Sequence, residues 1–188
     1  EAVSLETKLT AVELLNKCGA IPSTHDYHFN QFIFEHFPDG TDFKDLDLLN
    51  VINQFDHLPI SDVAAFSIDD ATTTEIDDAF SITQLPFGSF RIGIHIAAPA
   101  LGIAPESSLD RLAATRLSTV YLPGNKITML PDDIIHHFTL SENRLSPVVS
   151  LYLNVSDDFS IVSCESKLER IKIAANLRSN LLETQFNE

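Results

Sequence analysis

The apolar positions of this chain change period near Asp62. Before that point they recur at intervals of three and four. Leu5, Leu9, Val12 and Leu15 share one stripe, which predicts an amphipathic helix over 4–18. Ser4 is placed to cap its start, and Lys17 followed by Gly19 marks its end. A second helix is expected over 24–37, with Phe29, Phe32 and Phe37 along one side and Pro38 stopping it. PDGTD (38–42) reads as a turn and 44–55 as a further helix. His57-Leu58-Pro59 closes this leading segment.

Beyond Asp62 the period falls to two. AAFSI (64–68) and AFSITQL (79–85) read as strands, and PFGS (86–89) as a hairpin turn. FRIGIHIAA (90–98) alternates, with Phe90, Ile92, Ile94 and Ile96 facing one way and Arg91, Gly93 and His95 the other. A helix is expected over 106–117, then a YLPG turn (121–124) and a short extended KITML (126–130). SPVVSLYLNVS (146–156) reads as a strand with Val149, Leu151, Leu153 and Val155 facing inward. DDFS (157–160) turns the chain into another strand pair, and AANLRSNLLETQF (174–186) reads as helix. The pattern predicts an α+β fold: a mixed, largely antiparallel sheet with flanking helices over 61–188, led by a helical segment over 1–60.

Composition narrows the class. The 188 residues suit one domain, or one domain with an appendage. Thirteen Phe and no Trp point to a core built on phenylalanine. Cys18 and Cys164 lie far apart, so there is no disulfide framework and no CxxC zinc signature; two buried, reduced thiols are expected. No apolar run approaches the roughly 18 residues of a membrane span, and no signal peptide is visible. The expected location is cytoplasmic (bacterial) or organellar, not secreted. A start at Glu1 reads as a fragment or a processed product. The net charge of −15 argues against a module that binds nucleic acid nonspecifically, because such a surface has few cations to displace phosphate counterions. It argues less against a nuclease whose carboxylates are screened by metal.

Candidate chemistry lies in FSIDDATTTEIDDAF (66–80), where Asp69, Glu75, Asp77 and Asp78 fall within ten residues of an otherwise apolar region. Crowded carboxylates raise one another's pKa unless a cation joins them. Hard oxygen donors without nearby cysteines suit Mg²⁺ or Mn²⁺ better than Zn²⁺. Such a cluster can hold two ions about 4 Å apart for phosphoryl transfer. Strand alternation would point Glu75 and Asp77 together with Asp78 opposite, so all four converge only if DATTTE is a loop that folds back. The competing reading is a solvated acidic turn.

The acidic stretch is one of three ordered motifs. FSIDDATTTEIDDAFSI, then FRIGIHIAAPA, then SSLDRLAATRLSTVYLPGNKITMLP together resemble the ribonuclease II family and its RNB catalytic domain over about 60–155. That family carries TIDxxxxxDxDDA, a strand ending in HIAD, LDxxAxxRxxSxYLP and a proline-flanked MLP. The resemblance implies a hydrolytic, processive 3′→5′ exoribonuclease that uses Mg²⁺ (or Mn²⁺), takes single-stranded RNA and releases nucleoside 5′-monophosphates. It places the four motif acids on Asp69, Glu75, Asp77 and Asp78, with Asp69, Glu75 and Asp78 as metal ligands and Asp77 positioning metal or attacking water. Tyr121 falls where the family stacks a ring on a base near the RNA 3′ end, against the alternative of a packed turn tyrosine. Arg116 falls on the motif arginine, to hold phosphate or to pin its helix to Asp110 or a carbonyl.

Two positions depart from the pattern: Glu75 stands where many members have Asp, and Ala98 replaces the HIAD aspartate. The family's later arginines and second stacking aromatic have no counterpart after 155. Its flanking OB-fold RNA-binding domains are expected as parts of a longer parent protein. Self-association through apolar surface is a further expectation. The chief rival reading is a non-catalytic RNB-like module that binds metal or a protein partner and cuts nothing. A different metal-dependent phosphoesterase is a second rival. His95, on the alternate face of a strand, is a general base or a structural histidine.

Overall fold

The computed structural model describes residues 8–43 and 55–186. The expected helix over 44–55 lies almost wholly outside the described residues. The chain divides into two compact units, Glu1–Lys44 and Asp45–Glu188.

In the first unit, α1 (Lys8–Lys17) ends where Gly19 adopts φ 67°, a left-handed conformation that costs glycine little. The amides of Cys18 and Ala20 then close on Leu14 and Leu15 carbonyls. Ser23 caps α2 (Thr24–His36) by accepting from the Asp26 amide at 2.9 Å. No residue of α2 is buried, the expected Phe29/Phe32 side included.

The second unit is built on a closed five-stranded barrel in the order β1 (Ile60–Asp69), β2 (Asp78–Gln84), β3 (Phe90–Ala97), β6 (Leu145–Val155) and β7 (Ile161–Arg178). All pairings are antiparallel except β1 with β7. Closure depends on β7. Its first part pairs with β6 and its second part, Arg170–Arg178, runs parallel to β1. The 174–178 part of the expected last helix is therefore strand, and α5 covers only Ser179–Phe186. Joining a second strand satisfies the β7 backbone groups that a helix would have bonded internally.

A five-stranded barrel encloses little space, since diameter grows with strand number. Its inward positions are correspondingly small: Ala65, Ser67, Ala79, Ser81, Gly93, Ser146 and Ser150 are all buried. This reverses the expected β6 face. Ser146, Val148, Ser150 and Tyr152 point in, whereas Val149 is 49% exposed and Leu151 and Leu153 are half-buried; of the four residues expected inside, Val155 is buried. On β3, likewise, Gly93 and His95 are buried and Ile96 is exposed.

One end of the barrel is apolar, with Ala65, Ala79, Val148, Ile171 and Ile173 packed against Ile76 and Leu140. Elsewhere inside runs a polar network. His95 Nε2 lies 2.9 Å from Ser81 Oγ and Nδ1 2.8 Å from Ser150 Oγ. Tyr152 donates to Glu169 Oε1 at 2.6 Å and meets Ser61 Oγ at 3.2 Å. A Cβ on Gly93 would stand 2.4 Å from Ser81 Oγ and 2.6 Å from His95 Nε2, so only glycine lets these groups meet. Burial lowers the His95 pKa, with Glu169 opposing, so the imidazole is held neutral. One ring nitrogen then donates and the other accepts, and the serine hydroxyls rotate to match.

A second core joins α3 (Ser108–Arg116) and α4 (Asp132–Phe138) through Leu109, Leu130, Ile134 and Phe138 to Phe55 and Leu58. Between the helices, β4 (Val120–Leu122) and β5 (Asn125–Ile127) form a small hairpin turning at Pro123-Gly124. Arg170 ties the 56–59 segment to β7 through Asp56 Oδ1 (2.8 Å) and the Asp56 and Leu58 carbonyls. Cys18 and Cys164 are free thiols, and both are exposed rather than buried.

Candidate active site

The acidic motif sits where β1 leaves the barrel and β2 enters it. Residues 70–77 form the connecting loop. Arg178 holds that loop by donating to the Asp70 (2.8 Å) and Thr73 (3.2 Å) carbonyls. Ile76 is the local anchor. Its side chain is buried, its amide donates to Thr139 Oγ1 at 2.8 Å, and its carbonyl accepts from the Leu140 amide at 2.9 Å. The Asp77 carbonyl accepts from the Ala97 amide at 2.8 Å. With Ile76 drawn into the core, its neighbours Glu75 and Asp77 are turned together onto the wall of one cleft of about 430 Å³. Asp78, the first residue of β2, pairs with the exposed Ile96 and does not line that cleft. Asp69 ends β1, and its Oδ2 accepts from Ser67 Oγ at 2.6 Å.

The Asp77 carboxyl is held above the ordinary carboxylate range, first by partial desolvation and then by the negative charges of Glu75, Asp78 and Asp69. Glu75 is relieved differently: Lys126 of β5 makes a close ion pair with its Oε1. Among the described residues, no group of three or more His, Cys, Asp or Glu side chains stands close enough to hold a metal ion. The donor chemistry nonetheless fits magnesium, which takes one or two carboxylates and keeps several waters. Glu75 and Asp77 on the cleft wall supply such a pair.

Tyr121 lines the same cleft with its side chain 72% exposed. Its ring is open to solvent, so it is not a packed turn tyrosine. Arg116 instead points into the fold, 9% exposed, and donates to the Thr128 carbonyl at 2.7 Å, fixing α3 to the base of the hairpin. This is the carbonyl-pinning arrangement of the two weighed from sequence. Ala98 is buried at the end of β3. Lys126 was not singled out by the sequence, where it is one polar residue in a short extended piece. Its signal is only its register opposite Tyr121, which exists once the hairpin forms. His95 lies wholly inside the barrel and away from the cleft lining.

Residues 58–187 match the model of a family described as RNB domain. The chain is 35% identical over 115 residues to Exoribonuclease 2 of Vibrio cholerae, a stretch covering 61% of this chain and 16% of that protein. Two Arabidopsis thaliana proteins, DIS3-like exonuclease 2 and Inactive exonuclease DIS3L2, are each 43% identical over 90 residues, 47% of this chain and 8% of theirs. The fold matches Mycoplasma genitalium RNase R in complex with ribose methylated single-stranded RNA, with a TM-score of 0.65 and 21% identity over 70% of this chain and 21% of that one. The chain thus spans only about a sixth of the length of its Vibrio relative.

Proposed function

Because the chain belongs to the RNB domain family, we propose that it is part of a metal-dependent exoribonuclease that hydrolyses single-stranded RNA from the 3′ end to nucleoside 5′-monophosphates. The observation that carries this reading is one cleft bearing Glu75, Asp77 and the open ring of Tyr121. Of the acids that the motif assigns to metal (Asp69, Glu75 and Asp78), Glu75 lines the cleft, and together with Asp77 it would hold Mg²⁺ or Mn²⁺. The bound ion would supply an activated water and charge stabilisation on the phosphate. Asp77 positions the metal or the attacking water. Tyr121 stacks on a terminal base, and stacking accepts any sequence because every base has a π face. Arg116 supports the reaction indirectly, by fixing the hairpin that presents Tyr121. With a net charge of −15, this chain has little basic surface for RNA, and we assign that task to RNA-binding domains of a longer parent protein.

A second reading has support from particular observations. The Lys126 ion pair on Glu75, and the equal similarity to a relative named as inactive, favour a non-catalytic module. Digestion of 5′-labelled oligo(A) with Mg²⁺ or with EDTA separates the two. The exoribonuclease reading expects a ladder that shortens from the 3′ end, needs metal, and falls at least about a hundredfold in rate in Asp77→Asn. RNA left intact by this chain and by its longer parent would establish the non-catalytic module.

A further inference from the structure

Among the features outside the proposed reaction are the buried His95 network, the exposed outer faces of the barrel strands, and the cation on Glu75. The network is enclosed and reaches no ligand, and nothing in the structure shows what covers the strand faces. The cation on Glu75 carries an argument.

Lys126 is exposed, and the hairpin sets its place beside the acid. It is on β5, directly opposite Tyr121 of β4, so the two side chains share one face of the hairpin. That hairpin is fixed at its base by Arg116 to the Thr128 carbonyl and by the Met129 amide to Thr119 Oγ1 at 3.2 Å. From this fixed position the ammonium reaches an acid 51 residues earlier in the chain. The Glu75 side chain is only 14% exposed, against 36% for Lys126, so the pair is partly withdrawn from solvent. Among the described residues, Glu75 is the one member of the acidic set with an ion pair. Lys126 thus stands where the positive charge of a metal ion would be required, on a carboxylate expected to bind it.

We infer that Lys126 is a built-in cation for Glu75, which neutralises that carboxylate in the metal-free protein and competes with the divalent ion for it. The inference rests on the metal-binding reading of the acidic cluster. Its chemistry is an exchange: the ammonium leaves Glu75 as the ion arrives, and no covalent bond changes. A strongly hydrated ammonium on a flexible stem suits a cation that must be released. Release also frees a positive charge beside Tyr121, on the face where a terminal phosphate and base would lie.

The test is Mn²⁺ binding, followed by electron paramagnetic resonance, in the unaltered chain, Lys126→Met, Lys126→Gln and Lys126→Arg. Lys126→Met keeps the stem and removes the charge, and Lys126→Gln covers failure of the methionine variant to fold. Loss of the charge is expected to tighten Mn²⁺ binding about two- to fivefold, the range of a partly exposed ion pair. Lys126→Arg is expected to stay near the parent affinity. In a Mg²⁺ titration, the Lys126 Cε resonance should move in step with the Glu75 Cδ resonance. Unchanged or weaker Mn²⁺ binding in the neutral variants overturns the inference and leaves the metal site standing. No Mn²⁺ binding by any of the four proteins overturns both.

Discussion

The interior of the barrel and its acidic rim are both polar, yet they are built on opposite rules. Inside, His95 has a serine on each ring nitrogen, and Tyr152 donates a hydrogen bond to Glu169. Ser146 Oγ and Arg91 Nε are the buried side-chain atoms left without a partner among the described residues. At the rim, the charges of Glu75, Asp78 and Asp69 bear on Asp77, and Glu75 is matched by one lysine. Leaving an enclosed polar group unpaired costs about 1–3 kcal/mol, so the interior pairs most of its polar atoms. A group at the rim can remain unsatisfied because water and incoming cations reach it. Satisfied polarity holds this fold together, and unsatisfied polarity is what it offers to a ligand.

The largest expected effect is inside. His95→Ala leaves Ser81 and Ser150 without their shared partner and opens a cavity, and should cost about 3 kcal/mol or more in denaturant unfolding. A cost below about 1 kcal/mol would mean the network is as tolerant as the rim and would dissolve the contrast.

Acid should act on the two regions with opposite sign. The folded pKa of His95 is depressed below 6.5, so the unfolded state binds the extra proton. Stability is then fully present above about pH 6.5 and is lost as pH falls through that value, by up to about 1.4 kcal/mol per unit until the folded pKa is reached. Denaturation midpoints at pH 7.5, 6.5 and 5.5 should show this slope, and His95→Gln should flatten it.

The smallest effect sharpens the contrast. The folded pKa of Asp77 is raised above 3.8, so its ionisation destabilises the native state. That cost is fully present above the folded pKa and disappears as pH falls from there toward 3.8. Asp77→Asn should therefore raise the thermal midpoint slightly at pH 7, by less than about 1 kcal/mol of stability, and should weaken stabilisation by millimolar Mg²⁺. A destabilised Asp77→Asn would place Asp77 with the satisfied interior.

Local structure was legible in the residues alone. Period-two segments became β1, β2, β3 and β6; Gly19 ended α1; and the DATTTE stretch became the loop between two strands. The three ordered motifs marked the RNB family. These properties depend on a residue and its near neighbours, which is what a sequence states directly. Inside and outside were not legible. Val149 looked buried and is exposed, and Ser150 looked exposed and is buried, because closure of the barrel, and not the strand's own alternation, sets which face of β6 turns inward. That constraint exists once β7 has bent to join both β6 and β1. The Lys126–Glu75 pair has the same origin. It joins residues 51 positions apart through a hairpin and an anchored loop, and only the folded chain brings them together.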